Sequence, residues 1–134
     1  MRVVLDTNVL FAAFVTHGVC AGVYEECLLQ ADIVVSDFIL KELAERLVTK
    51  GKFTEADAQE AVQAVRKDAQ SVLPVALAKR VCRDADDDCI LGTAVAGKAA
   101  AIVTGDKDLL VLKTYEGITI VTPRGLLALM QGRH

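Results

Sequence analysis

The chain is poor in the residues that carry nucleophilic catalysis and zinc binding. Its histidines are His17 and His134, and its four cysteines include no C-x-x-C pair. A Ser–His or Cys–His catalytic pair therefore has little support, and zinc sites usually need closer cysteine spacing. We expect the thiols to be free, as is usual in a reducing cytosol. The cysteines are Cys20, Cys27, Cys82 and Cys89.

Aromatic residues are also scarce. Tryptophan is absent and aromatics make up 4% of the chain, whereas hydrophobic residues make up 53%. The core must therefore be built from Ala, Val, Leu and Ile, which suits helices packed on a parallel sheet. Few aromatic side chains remain as stacking platforms for single-stranded nucleic acid, so the sequence reveals no base preference.

An excess of positive charge and a long apolar run are both missing. The net charge of −3 argues against a protein whose whole surface attracts nucleic acid. It does not exclude a nuclease, because acids can be concentrated in one site and neutralised there by metal. The longest mostly apolar stretch, residues 90–105, is interrupted by Lys98 and several small residues, so no membrane span is expected. The chain enters a strand at its start, which leaves no room for a targeting segment and predicts a cytoplasmic protein.

Apolar patterning along the chain predicts alternating strands and helices. The 134 residues suit one domain, which we expect to span 1–134. Strand and helix alternation of this kind predicts an α/β protein, a three-layer α/β/α sandwich with a mostly parallel central sheet. Strands are expected at 2–5, 33–35, 71–75, 101–103 and 118–121, and helices at 8–14, 19–30, 37–50, 54–70, 86–96, 106–112 and 123–131.

Four acidic residues occur where predicted strands end or helices begin: Asp6, Glu42, Asp88 and Asp106. Ligands of an open parallel sheet collect outside the carboxyl ends of its strands. Carboxylates converging there would repel one another unless a cation neutralised them, and oxygen-rich acidic clusters suit Mg²⁺ or Mn²⁺. A metal-dependent phosphodiester nuclease is therefore the leading hypothesis.

Each acid also has an ordinary structural explanation. Asp6 is a plausible helix N-cap, and Thr7 and Asn8 are equally plausible hydrogen-bond partners that would orient it. Glu42 has Arg46 at i+4 as a partner for a solvated ion pair, and Glu45 competes with it as the site acid.

The later acids are ambiguous as well. Residues 84–88 contain four acids, of which helix capping and dipole contacts explain two. Gly92 weakens the following helix but leaves space beside Asp88 for metal or substrate. Asp106 fits an ordinary turn. In an alternative interpretation, Asp108 shares or replaces the role of Asp106 as a site acid.

Four segments occur in an order that resembles the PIN-domain family, and in particular VapC-like toxin ribonucleases. They are residues 3–10 (VVLDTNVL), residues 36–42 with the helix that follows, residues 83–96 beginning RDADDD, and residues 102–110 (IVTGDKDLL). The match covers almost the whole chain. The resemblance implies a PIN-like fold and Mg²⁺- or Mn²⁺-dependent endoribonuclease chemistry, with an antitoxin protein as partner and often a homodimer.

By motif position, Asp6, Glu42 and Asp88 match the three most regular acids of that family, and Asp106 matches a more variable fourth. Asp88 is preferred to Asp87 because it directly precedes the apolar helix. Thr7 and Thr104 match supporting hydroxyl positions.

The resulting mechanistic hypothesis gives each acid a role. Asp6, Asp88 and Asp106 hold metal, and Glu42 holds a second metal or orients the attacking water. Hydrolysis by water predicts a 5′-phosphate product, and one or two metals remain open.

An acidic site also needs cations for the RNA backbone. Arg46 and Lys50 continue the face of Glu42, and Arg83 and Lys107 flank the later acids. Lys79, Arg80 and Arg124 are further candidates.

Rival functions fit less well. A haloacid-dehalogenase-type phosphatase needs a second Asp where Asn8 stands, and a receiver domain needs early acids that are missing. The P-loop pattern is absent. A catalytically silent PIN-like module that binds RNA or protein is the remaining alternative.

Overall fold

The computed structural model of the chain describes residues 1–131, so His134 and the last residues of the predicted 1–134 domain lie outside the described part. Within it, seven helices surround a six-stranded sheet. The strands are β1 (Arg2–Leu5), β2 (Asp32–Val35), β3 (Ala69–Ser71), β4 (Ala101–Val103), β5 (Thr114–Tyr115) and β6 (Ile118–Val121). The helices are α1 (Thr7–Val15), α2 (Val19–Gln30), α3 (Asp37–Thr49), α4 (Glu55–Asp68), α5 (Ala85–Ala96), α6 (Lys107–Leu110) and α7 (Pro123–Met130).

The sheet has the order β3-β2-β1-β4-β6-β5. Every pairing is parallel except that of the short edge strand β5 with β6. The predicted α/β class, with a mostly parallel sheet between helical layers, is confirmed. Because β1 lies between β2 and β4, the segments that follow these three strands meet at one edge of the sheet.

The central strands are buried, as their unbroken apolar runs predict. Val3, Val4 and Leu5 of β1 are fully shielded from solvent, and so are Ile102 and Val103 of the neighbouring β4. Apolar residues on both faces of a strand require a helical layer on each side. Helix α5 packs on β1, β2 and β4, which brings its acidic first turn toward the ends of these strands.

Short polar side chains begin the helices. Ser36 accepts a hydrogen bond from the Ile39 amide at the start of α3, and Thr54 accepts one from Asp57 at the start of α4. Gly97 ends α5 and Pro123 opens α7, which agrees with the predicted helix limits at 96 and 123. The four cysteines are free thiols.

Two strand predictions differ from the structure. The third strand covers Ala69–Ser71 rather than 71–75. It directly follows α4 and pairs with β2, whereas the apolar residues after it form a loop. The two-residue strand β5 was not predicted, because no apolar pattern marks it in the sequence. It pairs with β6 in antiparallel fashion across a tight turn at Gly117.

Among the described residues, no helix is by itself long and apolar enough to cross a bilayer. Helices α1 and α2 reach the required length and composition only together, and they meet at an angle of 104°.

Candidate metal centre

A small acidic pocket opens at the carboxyl edge of the sheet, with a volume of about 80 Å³. That volume accommodates ions and a few waters but not a nucleotide base. Six of its ten lining residues are acids. The pocket is lined by Asp6, Thr7, Asn8, Glu42, Arg46, Asp84, Asp86, Asp87, Ile90 and Asp106.

Asp6 stands at the end of β1 and at the start of α1. Its Oδ1 accepts a hydrogen bond from the Val9 amide at 3.1 Å, so it caps the helix, while its Oδ2 accepts one from the Thr104 hydroxyl. Burial raises its pKa, the hydrogen bonds from Thr104 and Val9 oppose that change, and the charge of Asp106 adds to it. The capping and site explanations of Asp6 are therefore compatible, because its two oxygens face different partners.

Thr104 connects the ends of the two central strands. It is fully buried, and besides donating to Asp6 it accepts a hydrogen bond from the Asp106 amide at 2.9 Å. Asp106 in turn caps the short helix α6 through the Asp108 amide at 2.8 Å. The hydroxyl thus holds one site acid directly and the backbone of a second, which sets both carboxylates at the pocket.

Glu42 reaches the pocket from α3. Its Oε1 accepts a hydrogen bond from the Thr7 hydroxyl at 2.8 Å, and its Oε2 lies 3.6 Å from Arg46, which also donates to Asn8 at 2.6 Å. Burial raises the pKa of Glu42, although Thr7 and Arg46 act against this. Glu45, its competitor in the sequence, is exposed and does not line the pocket.

The structure places Asp87, and not Asp88, in the pocket. Consecutive helical residues point about 100° apart, and Asp87 faces the strand ends while Asp88 faces the preceding loop. Asp88 accepts hydrogen bonds from the amides of Val81 and Cys82 at 3.1 and 2.8 Å. The structure thus brings the alternate, Asp87, to the pocket, whereas the preferred Asp88 lies outside the pocket lining.

Ligand atoms of Asp87, Asp106 and Asp108 all lie within 4.8 Å of one another. Burial raises the pKa of Asp87 to about 7, with further contributions from the charges of Asp106, Asp84 and Asp108. Close carboxylates that disfavour one another's ionisation form the all-oxygen donor set that hard divalent cations bind. The residues present therefore fit Mg²⁺ or Mn²⁺.

The predicted cationic residues lie at different distances from this pocket. Arg46 lines it, and Arg83 stands beside it with Nη2 at 3.0 and 3.1 Å from the two carboxylate oxygens of Asp108. Lys50 follows the end of α3 and Lys107 begins α6, and both are exposed outside the pocket lining.

Two pocket residues and the role of one glycine were not foreseen. Asp84 and Asp86 line the pocket, and the run of acids at 84–88 was their signal in the sequence. Gly92 does not leave room for metal or substrate. A Cβ added there would overlap the carbonyl oxygen of Val75, and the Val75 amide donates to the Gly92 carbonyl at 3.0 Å. Gly92 instead lets the loop pack directly on α5.

Comparison with known proteins gives a family and a fold. A family model described as PIN domain matches residues 2–108. Among solved structures, the chain is similar to one chain of the crystal structure of VapBC2 from Rickettsia felis bound to a DNA fragment from their promoter. The TM-score is 0.62 with 16% identity, over 90% of this chain and 97% of that one. No curated protein matches the sequence.

Proposed function

The chain belongs to the PIN domain family, a family of nucleases, and on that premise we propose that it is a metal-dependent endoribonuclease. The proposed reaction is hydrolysis of phosphodiester bonds in RNA, and the proposed role is the toxin of a toxin–antitoxin pair. The observation that carries the proposal is the convergence of Asp6, Asp87 and Asp106 on one pocket at the carboxyl edge of a parallel sheet.

Asp87 and Asp106, whose ligand atoms lie within 4.8 Å of each other and of Asp108, would hold the cation, and Asp6 from the same pocket is the third proposed ligand. Mg²⁺ or Mn²⁺ bound there would supply Lewis-acid stabilisation of the phosphoryl oxygens and a more acidic water. The protein contributes preorganisation: Thr104 holds the Asp6 carboxylate in place and fixes the backbone of Asp106 through a second hydrogen bond. A carboxylate held in this way needs no reorientation as charge develops.

Glu42 is proposed to orient the attacking water and accept its proton. Its raised pKa suits proton transfer better than that of an ordinary surface carboxylate. Thr7 and Asn8 support this arrangement, Thr7 by donating to Glu42 and Asn8 by holding Arg46. Arg46 would bind a phosphate oxygen at the pocket, because its guanidinium has five donors and only part of them face Glu42 and Asn8.

Partners and setting follow from the same premise. The VapBC2 structure contains a complex bound to promoter DNA, and by analogy we propose that an antitoxin protein covers the acidic pocket of this chain. A homodimer is a further proposal from the family resemblance. The free thiols fit a reducing compartment, and we place the protein in the cytoplasm.

The decisive experiment is cleavage of a mixed-sequence single-stranded RNA with Mg²⁺, with Mn²⁺ and with EDTA. We expect cleavage with either metal and none in EDTA. Asp6→Asn and Asp87→Asn should each lower the rate by roughly 10²–10³-fold or more, the scale of losing a group that stabilises a transition state. Asp32→Asn is the matched control, because Asp32 is exposed at the start of β2, away from the carboxyl ends.

The products and the metal separate this proposal from its rivals. Hydrolysis by water leaves a 5′-phosphate, and a 2′,3′-cyclic phosphate would contradict the mechanism. Absence of cleavage together with absence of Mn²⁺ binding by calorimetry would favour the catalytically silent binding module.

A further inference from the structure

Asp88 holds a turn outside the acidic pocket. Its two carboxylate oxygens accept hydrogen bonds from consecutive amides, those of Val81 and Cys82, at 3.1 and 2.8 Å. The side chain is 12% exposed. The carboxylate is thus bound through both oxygens to the backbone of the 80–83 turn.

Arg80 closes the same turn from its other side. Its Nε lies 3.5 Å from Asp88, and its Nη2 donates to the carbonyl oxygens of Cys82, at 3.3 Å, and Arg83. One guanidinium therefore connects a helix carboxylate to two carbonyls of the turn. Charge-assisted hydrogen bonds of this kind are about twice as strong as neutral ones, and Asp88 and Arg80 together make four hydrogen bonds to the backbone of residues 81–83.

This turn carries Arg83 to the rim of the pocket. Arg83 donates through Nη2 to both oxygens of Asp108, an acid that stands with Asp87 and Asp106. Those two bonds use a single guanidinium nitrogen, and the Arg83 side chain is 86% exposed. The other guanidinium donors lie on an exposed side chain, and Asp88 and Arg80 bind the backbone segment that carries it.

We propose that Asp88 is a positioning residue for RNA binding, which acts by holding the 80–83 turn so that Arg83 meets a backbone phosphate next to the cleavage site. The inference rests on the proposed nuclease function. It assigns neighbouring acids to different tasks: Asp87 to the metal pocket and Asp88 to substrate binding at a distance. A preordered turn loses less conformational entropy when RNA binds, which is the physical advantage of holding Arg83 in this way.

Steady-state cleavage distinguishes positioning from catalysis. In Asp88→Asn the amide can accept from one backbone N–H but carries no charge to bind Arg80. We expect KM to rise about 5–20-fold, the scale of one phosphate contact, with kcat within about twofold of wild type. A kcat loss as large as that of Asp87→Asn would overturn the proposal.

A double-mutant cycle tests whether Asp88 acts through Arg83. Arg83→Ala should raise KM by a similar factor in the wild-type background and by less than about twofold in Asp88→Asn. The slope of log KM against log salt should fall by about 0.7 in each variant, as for loss of one contact to single-stranded RNA. Independent, multiplying effects of the two substitutions would contradict a shared role.

Limited trypsin digestion gives a readout that needs no RNA. The bonds after Arg80 and Arg83 lie in the held turn, and Asp88→Asn should accelerate cleavage at both about tenfold or more, whereas Asp32→Asn should not. Unchanged digestion would overturn the positioning role. If wild type cleaves no RNA, the proposed function fails separately, and fluorescence anisotropy with the same RNA replaces KM as the measure of Arg83 and Asp88.

Discussion

The two sides of the first turn of α5 hold adjacent carboxylates in opposite environments. Asp87 lies 9% exposed among other acids, where burial and neighbouring charge raise its pKa to about 7. Asp88 has its charge satisfied by two backbone amides and Arg80, and its pKa is lowered. A rotation of one residue along the helix thus separates Asp87, whose ionised form is disfavoured, from Asp88, whose ionised form is stabilised by a loop.

The difference shows how the chain combines function with stability. On the pocket side, burial and neighbouring acids disfavour the ionised form of Asp87, a cost that a bound cation would offset. On the loop side, Asp88 and Gly92, one helical turn apart, both bind residues of the segment that precedes α5.

Metal binding should show the largest contrast between the two sides. At Mn²⁺ concentrations about 100 times Kd, wild type should gain about 2.7 kcal/mol, which raises Tm by roughly 10 °C for a domain of this size. Asp87→Asn should lose most of that gain, because a pocket ligand is removed. Thermal unfolding with and without Mn²⁺ measures it.

Asp88→Asn is the control for that measurement. Its Tm without metal should drop, yet the Mn²⁺-induced rise should stay close to that of wild type. A rise lost in Asp88→Asn and kept in Asp87→Asn would reverse the assignment of the two acids.

Packing at Gly92 should give the next largest effect. Gly92→Ala places a Cβ against the backbone of Val75, which a rigid loop cannot relieve, and we expect about 1–3 kcal/mol of destabilisation despite the better helix propensity of alanine. Urea unfolding measures the change. Most of the effect of Gly92→Ala should appear in the free energy of unfolding, and little of it in kcat.

Gly22→Ala is the matched control, because Gly22 also lies inside a helix and nothing stands within 4 Å of a Cβ added there. This variant should be unchanged or up to about 1 kcal/mol more stable. Equal effects at both glycines would show that the loop yields to the added methyl group.

The pH dependence of the metal-free protein should show the smallest effect, with opposite signs at the two acids. The folded pKa of Asp87 lies above its ordinary value of 3.8. The native state therefore binds more protons than the unfolded state between about pH 4 and 7, and stability falls as the pH rises through that window. The lowered pKa of Asp88 has the reverse sign: its contribution is complete above its ordinary pKa and is lost on acidification.

Chemical unfolding in EDTA at pH 8 tests these signs. Asp87→Asn should stabilise the protein by about 1 kcal/mol, and Asp88→Asn should destabilise it by about the same amount. Asp32→Asn should change little. A destabilised Asp87→Asn would mean that its ionised carboxylate is already compensated without metal.

The structural features that could be predicted from the sequence are those encoded by residues close together in the chain. The apolar runs before Asp6 and before Thr104 identified two buried parallel strands. An acid that closely follows such a strand must lie at the carboxyl edge of the sheet, because the strand ends there. The starts of α3 and α4 are local features as well, because capping by Ser36 and Thr54 depends on neighbours within one turn. The third strand was misplaced, since its pairing with β2 outweighs a weak local pattern.

The third acid was not decidable by the same means. Asp87 and Asp88 are the same residue type in the same helical turn, so composition and capping do not distinguish them. Gly92 was likewise interpreted as space near a site, because its partner Val75 lies in a loop with no regular pattern. In both cases the deciding contact comes from residues 75–82.

By itself, the sequence determined the α/β alternation, the parallel central strands and the gathering of acids at their carboxyl edge. These follow from hydrophobic periodicity and the direction of the chain, which are local properties. Only the tertiary structure decided which acids face one another, that Asp88 binds a turn instead of the pocket, and that Arg83 stands beside Asp108. Those outcomes depend on helix rotation and on a loop returning to α5, and short-range sequence patterns do not specify either.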